Sequence, residues 1–449
     1  MKTRITKRII HVLLLINALS VFTFFYGCES MENKSEEKIN STSSEGSPME
    51  VLEICIDSQI DPSVMESSFL ESMELVPGYQ EDFTVSVSSL PGDVVLSEQD
   101  LNNRENALVR IKTEIMAGGG PDLFICVCPR PSYGTERTNR KGLFPYPESA
   151  MESNLFLDLS AVISQSKLIE WDNLVPQIMD VGKYKENQFI LPLTYTFGIT
   201  GFERNLHKMA SVSPMTRFDQ LNSKNGSIRQ AGHTDEIFSV FGRIADYEND
   251  ILTFTENDLL TCIKDYWKPL DLSEDEFPDT PAGLMVGLPN MLNDKGKMRF
   301  GQNSPEYIFI PQYNTISGVT AYITSFIAVN RNTQYPKEAL AIIEILMSKE
   351  GQQNAPLYGD LYGMPTHMEV GSEDSPAYSS YGSWYMNDAN FNEFCKLRGQ
   401  INAVNFFTPL EAEIDKMLWT CYETELIDVE IEELVSDSYR VMTMMIGES

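Results

Sequence analysis

Histidine and tryptophan are scarce in this chain of 449 residues, four of each, and basic residues number 34 against 65 acidic ones. Three of the histidines, His207, His233 and His367, lie beyond the N-terminal segment, and they make no metal-ligand spacing with the cysteines. There is no Gly-x-Ser-x-Gly elbow, no phosphate-cradling glycine loop ending in Lys-Ser or Lys-Thr, and no His-Glu-x-x-His. Serine-nucleophile, nucleotide and zinc chemistry therefore lack their motifs, and neither a cofactor nor a metal is expected. The formal charge of −31 becomes about −35 if the first basic residues are removed with a leader, a balance that repels nucleic acid.

What is present begins with a leader. Met1-Lys2-Thr3-Arg4 and Lys7-Arg8 precede an uncharged, mostly apolar run from Ile9 to Tyr26, the pattern of an export signal. The run closes on Gly27-Cys28, where a small residue before a cysteine suits lipoprotein processing; Cys28 is the expected acylated N-terminus after a signal peptide at 1–27. An uncleaved membrane anchor with an incidental cysteine is the alternative, since the run is about long enough to span a bilayer. Either way the rest of the chain is expected outside the cell. Residues 28–47 are mostly Ser, Glu, Lys, Asn and Thr and read as a flexible tether.

The remaining stretch of about 400 residues exceeds what one hydrophobic core usually serves, so two domains are expected. Val51–Ile56, Phe83–Val87 and Asp122–Cys128 read as strands, separated by helical patterns carrying Met65, Phe69 and Met73, then Leu108, Ile111 and Ile115. The second helix stops at Gly118-Gly119-Gly120, residues that accept a left-handed backbone. This alternation opens an α/β lobe with parallel strands. In such a lobe the ligand crevice lies outside the carboxyl ends of the strands, which nominates the loops around Asp57-Ser58 and Pro129 to Tyr133. Cys55, Cys126, Cys128, Cys262, Cys395 and Cys421 read as buried thiols, with a disulfide from Cys55 to Cys126 or Cys128 left open for an exported chain.

Three stretches resemble the family 1 extracellular solute-binding proteins that serve carbohydrate importers of the ATP-binding cassette type. They are Ile115 to Leu123 with its Ala117-Gly118 and Gly120-Pro121-Asp122; Leu157 to Asn205 with Leu191-Pro192 and Thr200-Gly201-Phe202; and Tyr307 to Thr366 with Gly318, Ser325 to Asn330 and Met364-Pro365. In the second, the alternation of Leu193, Tyr195 and Phe197 with Thr194 and Thr196 predicts a strand with one buried face.

The resemblance implies a two-lobed periplasmic-binding-protein-like α/β fold, each lobe a sheet flanked by helices, joined by a multi-strand hinge that closes on ligand. Lobe one is expected at 48–195 plus 313–365, lobe two at 196–312 plus 366–449. It further implies a monomer that captures a mono- or oligosaccharide and hands it to an importer's membrane subunits, without catalysis. Sugar sites combine polar groups with aromatic faces. The candidates are Asp57, Ser58, Tyr133, Tyr195, Phe197, Tyr313, Ser317, Gly318, Trp384 and Tyr385. A surface glycan adhesin on the same fold and an exported glycosidase remain alternatives; acidic pairs such as Glu423 and Glu425 are too common among 65 carboxylates to favour the latter. Trp171, Trp267 and Trp419 read as packing residues.

Overall fold

Three parallel strands open the fold. In the computed structural model, which describes residues 49–58, 62–91, 98–127, 142–203, 240–267, 284–287, 306–311, 313–361, 363–378, 385–424 and 426–448, β1 (Glu50–Ser58) pairs in parallel with β2 (Phe83–Ser89) on one side and β3 (Leu123–Val127) on the other. Between them run the helices α1 (Pro62–Ser72) and α2 (Glu98–Met116). The signal and tether, with Cys28, Cys128, Tyr133 and Trp384, lie outside the described residues.

Further strands come after these: the hairpin β4 and β5 (Lys183–Tyr184, Asn187–Gln188), β6 (Ile190–Thr196), β7 (Ile199–Glu203), the hairpin β8 and β9 (Ala245–Asp246, Ile251–Leu252), β10 (Leu284–Gly287), β11 (Tyr307–Pro311), β12 (Val319–Val329), β13 (Met364–Pro365) and β14 (Ile401–Phe406). Four more long helices are α3 (Pro336–Met347), α4 (Asp388–Arg398), α5 (Pro409–Thr424) and α6 (Asp428–Ile446). Among the described residues the main sheet has seven strands in the order β13-β6-β12-β3-β1-β2, with β14 beside β12. Beyond β3 the pairing turns antiparallel, with β12 running against both β3 and β6, while β14 runs parallel to β12. A separate three-stranded antiparallel sheet joins β10, β7 and β11.

Both faces of the main sheet are covered, as its apolar strands require. Leu52, Ile54 and Ile56 of β1, with Leu123 and Ile125 of β3, pack with α1 and α3 on one face. Cys55, Phe124 and Phe326 pack on the other with Leu108, Ile111 and Ile115 of α2. The apolar stripe Ile414, Met417, Leu418 and Cys421 of α5 forms a third cluster with α6 and Val240 to Tyr247.

β6 departs from the one-faced strand that its alternation suggested. All seven of its residues are buried. The pairing with β12 passes from Phe326 opposite Pro192 to Ser325 opposite Thr194, so Leu193 is an extra residue in the register. Such a bulge inverts the facing of the strand beyond it. Leu191 and Leu193 join one core, Tyr195 and Phe197 the other.

Two of the motif stretches meet at the start of β3. Gly118 and Gly120 hold φ of 89° and 88°, ending α2. Asn330, fully buried at the end of β12, donates from Nδ2 to the carbonyls of Gly119 (2.9 Å) and Pro121 (2.8 Å). Asp122 accepts from the Glu53 amide at 2.9 Å and the Thr333 hydroxyl at 2.6 Å. Asn330→Ala strips two carbonyls of their donor and is expected to cost about 2 kcal/mol in urea unfolding; a change within about 0.5 kcal/mol contradicts this account of the turn.

Cys55 and Cys126 stay thiols: they lie on neighbouring strands, but in register Cys55 faces Phe124 and Cys126 faces Asp57. Burial, reinforced by the Asp57 charge, pushes the Cys55 thiol up to about 12. Trp171 sits in a three-residue helical turn, Trp171–Asn173, and, half-buried, packs against the core shared with α1 and α3. The side chains of Trp267 and Trp419 lie outside the described ones.

Candidate functional site

The parallel strands β1, β2 and β3 bring their carboxyl ends to one edge of the sheet, where Asp57 and Ser58 finish β1. Asp57 is 5% exposed and fully engaged. Its Oδ1 accepts from the Arg104 guanidinium of α2 at 2.7 Å, and its Oδ2 accepts from the Leu143 amide at 2.6 Å. The carboxylate thus fixes the rim and the strand-to-loop segment entering at Leu143, instead of standing free for a ligand. Ser58 beside it is fully buried.

The chain leaves the main sheet between β6 and β7 and returns between β11 and β12. At this junction the Thr194 hydroxyl lies 2.8 Å from that of Thr324 and 2.5 Å from that of Ser325. Gly363, at φ 142°, packs on the same spot: a Cβ there would meet Thr324 Oγ1 at 2.3 Å and the Tyr195 carbonyl at 2.7 Å. Tyr195 and Phe197 are both fully buried, their rings stacked at 6.4 Å, and Phe197 stacks in turn on Phe394 of α4 at 5.6 Å. Burial pushes the Tyr195 hydroxyl up to about 12 against the opposing charge of Arg398. These rings are core beneath the crossing in the arrangement observed.

Tyr313, Ser317 and Gly318 come together in the turn that leads into β12. Tyr313 is 6% exposed, and burial raises its hydroxyl above the ordinary tyrosine value. Ser317 is exposed at φ 63°. Gly318 is explained by packing: a Cβ would stand 2.1 Å from Asn402 Cγ. Asn314 staples the turn, accepting from the Gly318 amide at 3.0 Å while donating to Asn402 Oδ1 at 2.7 Å. Tyr385 is half-exposed ahead of α4. Asp57 and Ser58 therefore form one group, Tyr313 to Gly318 a second, and Tyr195 with Phe197 a third.

Sequence reasoning missed a buried carboxylate cluster. Leu143 and Phe144 sit in the core of the main sheet, whereas Tyr146 packs on the α5–α6 layer, its ring 5.9 Å from that of Tyr247. Glu148 accepts from Arg243 at 2.8 Å. Glu411, 1% exposed, caps α5 by accepting from the Thr408 amide at 2.8 Å and its hydroxyl at 2.5 Å. Burial pushes Glu411 up to about 8, with the Glu148 charge adding to it, and pushes Glu148 up to about 7 against the opposing charge of Arg243. Thr408-x-x-Glu411 is a capping-box pattern that the sequence does display; nothing in it announces the second carboxylate.

No protein-family model and no curated protein matches the chain. Solved structures do. A protein of Alicyclobacillus acidocaldarius described as extracellular solute-binding protein family 1 is 12% identical, covering 90% of this chain and 100% of that chain at a TM-score of 0.55. The chain has the fold of the family 1 extracellular solute-binding proteins. Two others with it are the cyclic alpha-maltosyl-1,6-maltose binding protein of Arthrobacter globiformis (11% identity, 88% and 99% coverage, TM-score 0.51) and the sugar-binding protein MalE of Xanthomonas citri (11%, 89% and 98%, 0.51). A de novo designed cysteine esterase shares it too, so the family 1 fold by itself excludes no chemistry. Among the described residues no helix is long and apolar enough to cross a membrane, and no group of three or more His, Cys, Asp or Glu is placed to hold a metal ion.

Proposed function

We propose that this chain captures a small solute, a mono- or oligosaccharide, in a crevice between two lobes at 48–195 plus 313–365 and 196–312 plus 366–449. The observation that carries the reading is the fold, shared over about 90% of the chain with a family 1 solute-binding protein and with proteins described as sugar-binding. The strand topology is consistent with crossings at 197–198 and 313–318, where the chain changes sheets, whereas β14 of the stretch 366–449 pairs with β12 in the main sheet. Those crossings are the hinge, and the crevice opens beyond the carboxyl ends of β1 and β3.

In this reading Tyr133, Tyr313, Ser317, Trp384 and Tyr385 meet the solute, Tyr195 underlies the hinge, and Asp57 with the fully buried Ser58 builds the rim. Acylation at Cys28 anchors the chain on the outer face of the cell membrane, and the membrane subunits of an ATP-binding cassette importer receive the cargo. The reading contains no catalytic step.

A thermal-shift screen of neutral mono- and oligosaccharides tests it. At least one sugar should raise the midpoint, since a ligand at a hundred times its dissociation constant stabilises by about 2.7 kcal/mol. Stabilisation by peptides, polyamines or metals alone, or turnover of the bound sugar, would overturn it.

A further inference from the structure

Strand β12 passes between two layers of the molecule. Its second part, Ser325 to Val329, pairs with β3, whereas its first part, Val319 to Ile323, lies beyond the carboxyl end of β3 and pairs with β14. β14 leads into α5, which packs with α6 and the segment Val240 to Tyr247. Beside this passage the segment Leu143 to Met151 joins the same two layers. Leu143, Phe144, Ala150 and Met151 belong to the core of the main sheet, whereas Tyr146 packs against the α5–α6 layer.

Ionisable groups gather at that boundary. Glu148, on the short helix Pro147–Glu152, has a side chain only 15% exposed and accepts from Arg243 at 2.8 Å. Arg243 is tied to its own layer, donating from Nε to the Ala245 carbonyl at 3.0 Å. Glu411 approaches from α5, 1% exposed and held by Thr408, to which the Tyr247 hydroxyl also donates at 3.4 Å. The charge of Asp246 bears on Glu148, and that of Glu411 bears on Tyr146 and Tyr247, with Glu448 acting on Tyr146 as well. Arg243 is thus the one cation facing Glu148, and its charge does not offset the burial of two carboxylates.

We propose that Glu148, Glu411 and Arg243 form a proton-dependent clasp between the main-sheet core and the α5–α6 layer, held by acidity and released by alkalinity. The proposal rests on the two-lobed reading above, with one layer in each lobe. Protonated, the two carboxyls stay covered by Tyr146 and Tyr247. Ionised, they are relieved when the layers part and water reaches them. Both groups are raised from an ordinary 4.5, to about 7 and about 8, so the clasped arrangement binds protons more tightly than the parted one. It is favoured below that window and lost as pH rises through it. The lobes are then freer to rotate at alkaline pH, and capture of the solute responds to acidity.

Electron-electron resonance measures the clasp in the full chain without any solute. Nitroxides are attached through p-acetylphenylalanine at Ser153, exposed after the helix of Glu148, and at Glu248, exposed in the turn after Tyr247. A single short distance is expected at about pH 6, and a longer one should appear at about pH 8.5, the ratio of the two changing at least about a hundredfold. Circular dichroism checks that the chain stays folded at both. In Glu411→Gln the change should shrink to about tenfold, the share of Glu148, and in the double variant Glu148→Gln with Glu411→Gln it should vanish. One distance at both pH values in the parent, or an undiminished response in the double variant, overturns the proposal. A pH-invariant distance in a chain that a sugar still stabilises removes the clasp and leaves capture standing. A pH-dependent distance in a chain that no sugar stabilises removes capture alone.

Discussion

Asp57→Ala is expected to destabilise the chain by about 3–5 kcal/mol, the usual cost of removing one partner of a buried ion pair. Asp57 and Arg104 have side chains 6% and 3% exposed and meet at 2.7 Å, so the guanidinium loses its counter-charge where water does not replace it. The Leu143 amide loses its acceptor in the same step. Asp57→Asn separates the two effects: its amide oxygen still serves Leu143 but leaves the Arg104 charge uncompensated, so its loss should be smaller yet well above 1 kcal/mol. Urea unfolding of both variants checks the order. Equal stability of Asp57→Ala and the parent would mean that the carboxylate is not what holds the rim.

The second large effect depends on pH. Glu411 titrates near 8 in the folded chain against about 4.5 when exposed, and Glu148 is raised in the same direction. The folded state therefore binds more protons than the unfolded one between about pH 4.5 and 8, and stability falls as pH rises through that window. At about 1.4 kcal/mol per pH unit across that window, the contribution of Glu411 is on the order of 5 kcal/mol. Repulsion among the carboxylates of a chain with net charge −31 gives a trend of the same sign. Glu411→Gln isolates the local share, because the amide oxygen still accepts from Thr408 but no longer ionises. The variant should lie close to the parent near pH 5 and exceed it by about 5 kcal/mol above pH 8; parallel melting curves at both pH values would refute the assignment.

Local patterns carried the first half of the main sheet. β1, β2, β3 and α2 were legible because apolar runs of the right length are punctuated by glycines whose positive φ the structure shows at Gly118 and Gly120. Met65, Phe69 and Met73 were legible through a helical period that ends in burial. Pairing between distant strands was not. Nothing local tells that β12 splits its length between β3 and β14, or that a one-residue bulge at Leu193 sends Tyr195 to the opposite face. The candidate site was less legible than the fold, because residue type suggested contact where the fold uses the same residue internally. Asp57 serves Arg104, Phe197 serves Phe394, and Gly318 serves Asn402. Conversely, Gln188 carries no motif; only the folded hairpin sets its amide to donate to the carbonyls of Met179 and Ile190.

The central claim is capture by closure about the crossings at 197–198 and 313–318. Small-angle X-ray scattering of the full chain, with and without the sugar that stabilises it most, tests this directly. The account predicts a smaller radius of gyration on saturation and a loss of that change when Gly363→Val fills the junction beside Thr324. A radius that stays constant while the sugar binds in the crevice would contradict it.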